Sequence, residues 1–262
     1  MLDQAFVLRA PPLGGSADAV SQLDNALAQE QQDRLRNIAT LLPYRRNQKI
    51  YSQGEDIRFV HFISSGLVRI FRSTENGKRQ IISFRAQGDL CGLPQNGRHL
   101  NSAEAVSISM IYRVSWDLFH HLLVTSTQLQ MMMLKKVTSE FREAQSRILM
   151  LGQENIFHRV ATFVVDMMAV TQFFDAREST LYLPMSRFDV ADYLGTSPET
   201  AGRAFTKLEN LGIIRRLSPR RIEILDMERL RLIQRGPRRG QIKAVQVRAG
   251  LEADASAAGA LQ

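Results

Sequence analysis

The chain has 262 residues, 44% of them hydrophobic, a formal net charge of +8 and a single cysteine, Cys91. That is length enough for two domains, and too little cysteine for an internal disulfide, a cysteine-only iron–sulfur cluster or a cysteine-rich zinc site within one chain. No stretch approaches the roughly 18 uninterrupted apolar residues of a membrane span, and Phe6-Val7-Leu8 is too short for a signal-peptide core, so a cytoplasmic protein is expected.

Residues 1–28, rich in Ala, Pro, Gly and Gln, read as a disordered lead-in. A short helix is predicted around Gln31 to Leu42. Strands are then predicted at Ile50 to Ser52, Phe59 to Ile63, Gly66 to Arg72, Gln80 to Arg85 and Ala105 to Val114. Turn signals at Gly54, Ser65-Gly66, Asn76-Gly77 and Gly88-Asp89 separate them. Short antiparallel strands at this spacing predict a β-barrel or jelly-roll-like sandwich over residues 29–120.

After Trp116 the pattern turns helical. Leu134, Val137, Phe141, Ala144, Ile148 and Leu151 recur three and four apart, a seam of period 3.5 flanked by Lys135, Lys136, Glu140, Arg142, Glu143 and Arg147. The seam predicts that a helix within residues 121–152 joins two copies of the chain. The competing arrangement, a helix packed on its own β domain, normally shows a wider apolar face. Gly152 marks the end of this helix, and Asn155 to Val170 begins a C-terminal domain over residues 153–235.

Within that domain, Met185 to Ile214 carries start signals for two short helices. Ser186 with Asp189 has the spacing of a capping box, and Val190, Tyr193 and Leu194 are predicted to be buried. The first helix stops at Gly195 and Thr196. Ser197-Pro198-Glu199 then restarts it: Ser caps, Pro suits a first position that needs no amide donor, and Glu favours the positive end of the dipole. Ala201, Phe205 and Leu208 fall at i, i+4 and i+7 and are predicted to face inward. Glu199, Gly202, Arg203 and Thr206 share the opposite face, a mixture suited to base edges. The pattern is that of a DNA-binding helix-turn-helix.

Gly212 ends the second helix. Arg215 to Leu217, a Ser218-Pro219 turn and Arg221 to Leu225 predict the hairpin wing of a winged helix. From Arg203 to Arg239 there are eleven basic residues against Glu209, Glu223, Asp226 and Glu228, so most of the net charge sits in one segment, as phosphate neutralisation requires. Residues 236–262 read as a flexible tail. None of the five histidines lies in a metal-ligand spacing, and there is no phosphate-cradling glycine loop, nucleophile elbow or carboxylate pair. No catalytic residue, metal site or cofactor is expected, and the chain is not read as an enzyme.

A β-roll, a long helix and a winged helix-turn-helix in that order resemble the Crp/Fnr family of bacterial transcription regulators, over roughly Gln31 to Gln234. The marks are Tyr51-x-x-Gly54-Glu55, Phe62-Ile63-x-x-Gly66-x-Val68, Gly77-Lys78-Arg79-Gln80-Ile81-Ile82-Ser83-Phe84, Gly88-Asp89-x-x-Gly92-Leu93 and the 185–214 segment. Gly77 to Ile82 and Leu183 to Arg187 look most like the Fnr and FixK branch, whose members often govern low-oxygen, nitrogen or respiratory genes. The resemblance implies an α+β chain: a cyclic-nucleotide-binding-like β-roll, a dimerisation helix and the winged helix-turn-helix. It implies an activator that binds a palindromic operator as a homodimer and works with RNA polymerase.

By the same resemblance Glu199 accepts from a cytosine amine and Arg203 donates to guanine. Ser186, Arg187, Ser197, Thr200 and Thr206 touch phosphates or base edges, with Gly202, Lys207, Arg215 and Arg216 beside them. Gly202 stands where the Fnr branch usually has serine, and Pro198 where the cAMP-receptor branch has a base-reading arginine, so a TGA-like core is expected with altered flanks. The phosphate-binding Arg-Ser pair of the cyclic-nucleotide pocket is Asn101-Ser102 here, which argues against cAMP, and the N-terminal cysteines of Fnr oxygen sensing are missing. What remains is a competent dimer controlled by abundance. The alternative is a regulator gated through the roll by a ligand or by Cys91 as a redox switch.

Overall fold

The computed structural model describes residues 33–235 apart from 76, 78, 94–96, 153–154 and 171. The predicted lead-in and tail, and Asn76 and Lys78 of the quoted motifs, lie outside the described residues. The chain divides into two compact units. The first runs to Gly152 and adds Leu183–Pro198; the second is Gln153–Tyr182 with Glu199 onward.

Among the described residues the first unit has the strands β1 (Thr40–Tyr44), β2 (Lys49–Tyr51), β3 (Phe59–Ser65), β4 (Val68–Ser73), β5 (Arg79–Arg85), β6 (Leu90–Cys91), β7 (Ser102–Ala105) and β8 (Ser109–Ser115). They form two antiparallel sheets, ordered β1-β8-β3-β6 and β2-β7-β4-β5. Because side chains alternate along a strand, Ile63 of β3 joins Tyr44, Tyr51, Val68, Ile70, Cys91, Ala103, Ala105 and Ile111 in one core. Val60 and Phe62 point the other way. They pack with Leu90 and Val114 against Phe119 of α1 (Trp116–Thr125) and Leu129 and Met133 of α2 (Thr127–Leu151). This is the predicted β-roll.

One helix prediction and one strand prediction are corrected. Among the described residues of the predicted Gln31 to Leu42, helix covers 33–37 and stops there, because Thr40–Tyr44 pairs with β8 along the sheet edge. Ala105 to Val114 is two strands rather than one: β7 and β8 belong to different sheets, and the chain crosses between them at 106–108. Gly66 makes a second crossing, from β3 to β4, with φ +91°. A Cβ there would lie 2.2 Å from Ser109 Oγ and 2.6 Å from the Ile108 carbonyl oxygen. Left-handed strain and a backbone clash add. Gly66→Ala is therefore expected to destabilise the fold by about 3 kcal/mol, lowering the melting midpoint in a calorimetric scan by roughly 6–12 °C.

Helix α2 starts at Ser126, whose hydroxyl accepts from the Leu129 amide. After Leu129 and Met133, which join the roll's apolar core, its contacts to the roll turn ionic. Lys136 pairs with Asp89 at 2.5 Å, and Glu140 and Glu143 pair with Arg85 at 3.1 and 3.3 Å. Arg147 donates to the carbonyls of Ile81 and Tyr193 at 2.6 Å. By spacing alone these residues flank the apolar seam; in the fold they anchor the helix to the roll.

The second unit holds α3 (Ile156–Met168), β9 (Phe174–Asp175), β10 (Thr180–Tyr182), most of α5 (Pro198–Asn210), β11 (Ile214–Ser218), β12 (Arg221–Ile224) and α6 (Met227–Arg235). Helix α3 packs on α6, and the sheet runs β11-β12-β10-β9. The predicted wing is the β11–β12 hairpin. The predicted two-helix segment is α4 (Arg187–Leu194), then the turn through Gly195, then α5.

Candidate DNA interface

Helix α4 begins where its chemistry predicts. Ser186 Oγ accepts from the Asp189 amide at 3.0 Å, and Asp189 Oδ2 accepts from the Ser186 amide at 3.0 Å, so the capping box closes. Gly195 ends the helix in the left-handed region, φ +64°, with its amide donating to Ala191 O. Val190, Ala191 and Leu194 are buried, Tyr193 is half-buried, and Asp189 is buried at 2% exposure. Nothing in the local spacing announces that last burial. Ser186 stays partly open, and Arg187 and Phe188 are exposed at the helix N-terminus.

Helix α5 buries Ala201, Ala204 and Leu208, while Phe205 is only half-buried. Ala204 thus takes the inward place predicted for Phe205, one position round the helix. The predicted outward face is outward: Glu199, Arg203, Thr206 and Lys207 are exposed, and Thr200 and Gly202 are partly so. Arg203 Nη2 donates to Thr200 Oγ1 at 3.2 Å, one turn away. Around Gly202 nothing lies within 4 Å of where a Cβ would sit. No packing among the described residues demands glycine at this position. Lys207 lies over the Phe157 ring, 4.8 Å from its centroid.

Two wing arginines, Arg215 and Arg216, are paired with acids. Arg216 pairs with Glu209 at 2.5 Å and donates to Thr206 Oγ1, tying β11 to α5; Arg215 pairs with Glu223 at 2.6 Å. Hydrogen bonds from the Arg216 side chain and backbone hold the Glu209 carboxyl below its usual range. Charge counting treats both arginines as unpaired cations, but each is ion-paired with an acid of its own unit. Ser186, Arg187 and Ser197 belong to the first unit and the remaining candidates to the second.

The roll contains a cavity of about 590 Å³, lined by Tyr51, His61, His99, Arg58 and Arg113 among others. His61 is 3% exposed, its Nδ1 has no hydrogen-bond partner among the described residues, and burial pushes its pKa down to about 3, so the ring is neutral. Cys91 is buried as well, and burial pushes its thiol up to about 12, which suppresses the thiolate a redox switch needs. Among the described residues no group of three or more His, Cys, Asp or Glu is placed to hold a metal ion. No helix among them is long and apolar enough to cross a membrane.

Residues 158–233 match the Crp-like helix-turn-helix domain and residues 41–126 the cyclic nucleotide-binding domain. The chain is 32% identical over 195 residues to the nitrogen fixation regulation protein FixK of Azorhizobium caulinodans, covering 74% of this chain and 79% of that one. It is 29% identical over 193 residues to the anaerobic regulatory protein of Pasteurella multocida, covering 72% and 70%. The solved structure of FixK2 from Bradyrhizobium japonicum superposes with a TM-score of 0.71 at 30% identity, over 77% of this chain and 100% of that one.

Proposed function

The chain belongs to the Crp/Fnr family of DNA-binding transcription regulators, and from that premise we propose that it acts in the cytoplasm as a homodimeric activator on a palindromic operator. Two copies would set their α5 helices in successive major grooves about 34 Å apart and recruit RNA polymerase. The observation that carries this reading is the exposed face of α5, where Glu199 and Arg203 stand one turn apart across an unobstructed Gly202. Glu199 is an acceptor-only group suited to a cytosine amine, and Arg203 is a planar donor suited to guanine O6 and N7. Open space at Gly202 suits a helix whose backbone comes close to the base edges. Arg187, Ser197, Thr200 and Lys207 position the helices on phosphates, with Ser186 capping α4 and Thr206 beside the base edges. Control of low-oxygen or nitrogen-related genes is the physiological role that the names of the relatives support.

The test is fluorescence anisotropy with the full chain on a TGA-cored palindromic duplex and on its scrambled counterpart, across a salt series. A preference of roughly 10³ or more is expected, with log affinity falling linearly in log salt by about 0.9 per phosphate neutralised. Equal affinity for both duplexes would falsify the reading. Protein unfolded, freed of small molecules and refolded should bind as tightly as the untreated sample if abundance alone controls it. Lost preference after that treatment would favour a ligand in the roll cavity.

A further inference from the structure

On the outer face of the second sheet, β4 and β5 carry two arginines directed at one carboxylate of α4, all inside the first unit. Arg69 Nη1 donates to Asp189 Oδ1 and Oδ2 at 3.2 and 3.3 Å, and Arg79 Nη2 donates to Asp189 Oδ1 at 2.8 Å. Arg79 also grips Asp192, through Nε at 2.8 Å and Nη2 at 2.7 Å, while Gln80 donates to the Asp192 carbonyl. Arg69 is fixed in turn by Glu104 at 2.5 Å and by Asn47 Oδ1 at 3.2 Å. Beside them Tyr193 packs against Phe84, and Arg147 lies 3.7 Å over the Tyr193 ring.

The Asp189 carboxylate therefore has two duties. Its Oδ2 receives the Ser186 amide and hydroxyl, building the N-terminus of α4, while its Oδ1 receives both arginines. The docked face is Asp189, Asp192 and Tyr193. Arg187 and Phe188 remain exposed with the helix docked, so docking does not mask Arg187, which is proposed to meet DNA. An ionic cluster this buried is a weak choice for stability alone, since apolar packing of equal volume serves as well or better. Forked, doubly hydrogen-bonded charge pairs do fix orientation.

We propose that Arg69 and Arg79 are positioning residues for DNA binding: acting through Asp189, the β-roll sets the cap of α4 and so aims Arg187 at the phosphates. This rests on the DNA-binding face proposed above. The experiment uses full-length Arg79→Ala, Arg69→Ala and Arg79→Lys beside the parent, measuring affinity for the palindromic duplex across salt, with circular dichroism as the folding check. Arg79→Ala should weaken binding at least tenfold and shallow the salt slope by about 0.9 for each phosphate no longer neutralised, and Arg79→Lys should recover part of both. A purely architectural cluster would lower the melting midpoint and leave the slope alone. Folded alanine variants with parental affinity and slope overturn the proposal. Should they fail to fold, Arg79→Lys decides it, because loss of the fork must still shift the slope. A parent with no preference for the palindrome would instead overturn the DNA-binding reading itself.

Discussion

Arg203→Ala is expected to abolish most discrimination for the operator while leaving the protein folded. The side chain is exposed and its described partner is Thr200 on its own helix, so its removal leaves no buried group unpaired. One bidentate arginine–guanine pair is worth about 1–3 kcal/mol. A two-fold symmetric complex makes the pair twice, so the loss becomes about 2–6 kcal/mol, or roughly 30-fold to 10⁴-fold in affinity. The loss should be specific to position: changing the matching guanine should penalise the parent and cost Arg203→Ala almost nothing further. A double-mutant cycle of anisotropy measurements reads this directly. If the variant still discriminates against the altered base, Arg203 does not read it.

Phe141→Asp is expected to convert a dimer to single chains. Along α2 the seam residues Leu134, Val137, Phe141 and Ile148 are all exposed in the isolated chain, Phe141 at 62% and Ile148 at 70%, on a helix whose other side is already anchored to the roll by ion pairs. Water-facing apolar side chains at heptad spacing gain about 1.5–3 kcal/mol each when buried. In a self-complementary interface every substitution acts twice. Burying an aspartate in place of the ring should therefore cost at least about 3–6 kcal/mol, two to four decades in dissociation constant. Sedimentation velocity at micromolar protein should show the parent as a dimer and Phe141→Asp as a monomer, with operator binding reduced in parallel. Parental sedimentation by the variant would remove the seam from the interface. Leu151, at the seam's end, is half-buried, and its Cδ2 lies 3.4 Å from where a Cβ on Gly195 would sit, so its contribution should be smaller.

The parts legible in the sequence were those whose cause is local. The capping box at Ser186, the left-handed Gly195, the Pro198 restart and the glycine turns of the roll each declare themselves within a few residues, and each stands where its spacing places it. What stayed hidden depended on distant partners. Thr40–Tyr44 is a strand because β8 lies beside it, and the break between β7 and β8 exists because two sheets share one stretch of chain. Lys136 and Arg147 read as flanks of the apolar seam of α2, because the roll groups they anchor to, Asp89 and the Ile81 carbonyl, lie 47 and 66 residues away in the chain. Arg215 and Arg216 look like free cations because their partners, Glu223 and Glu209, lie eight and seven residues away in the chain. Asp189 looks like a weaker substitute for glutamate in a cap. Its arginines are 110 and 120 residues distant, beyond any local pattern.

That distance bears on how such regulators can be recombined. Grafting the 185–214 segment onto a relative's sensor, or exchanging this roll for another, would separate Asp189 from Arg69 and Arg79 unless both arginines travel with it. A stranded carboxylate at so enclosed a seam costs about 3–5 kcal/mol, a large share of what holds a domain together. A working chimera must therefore inherit the two strand positions along with the reading head, and swaps that respect only the domain boundary should express poorly.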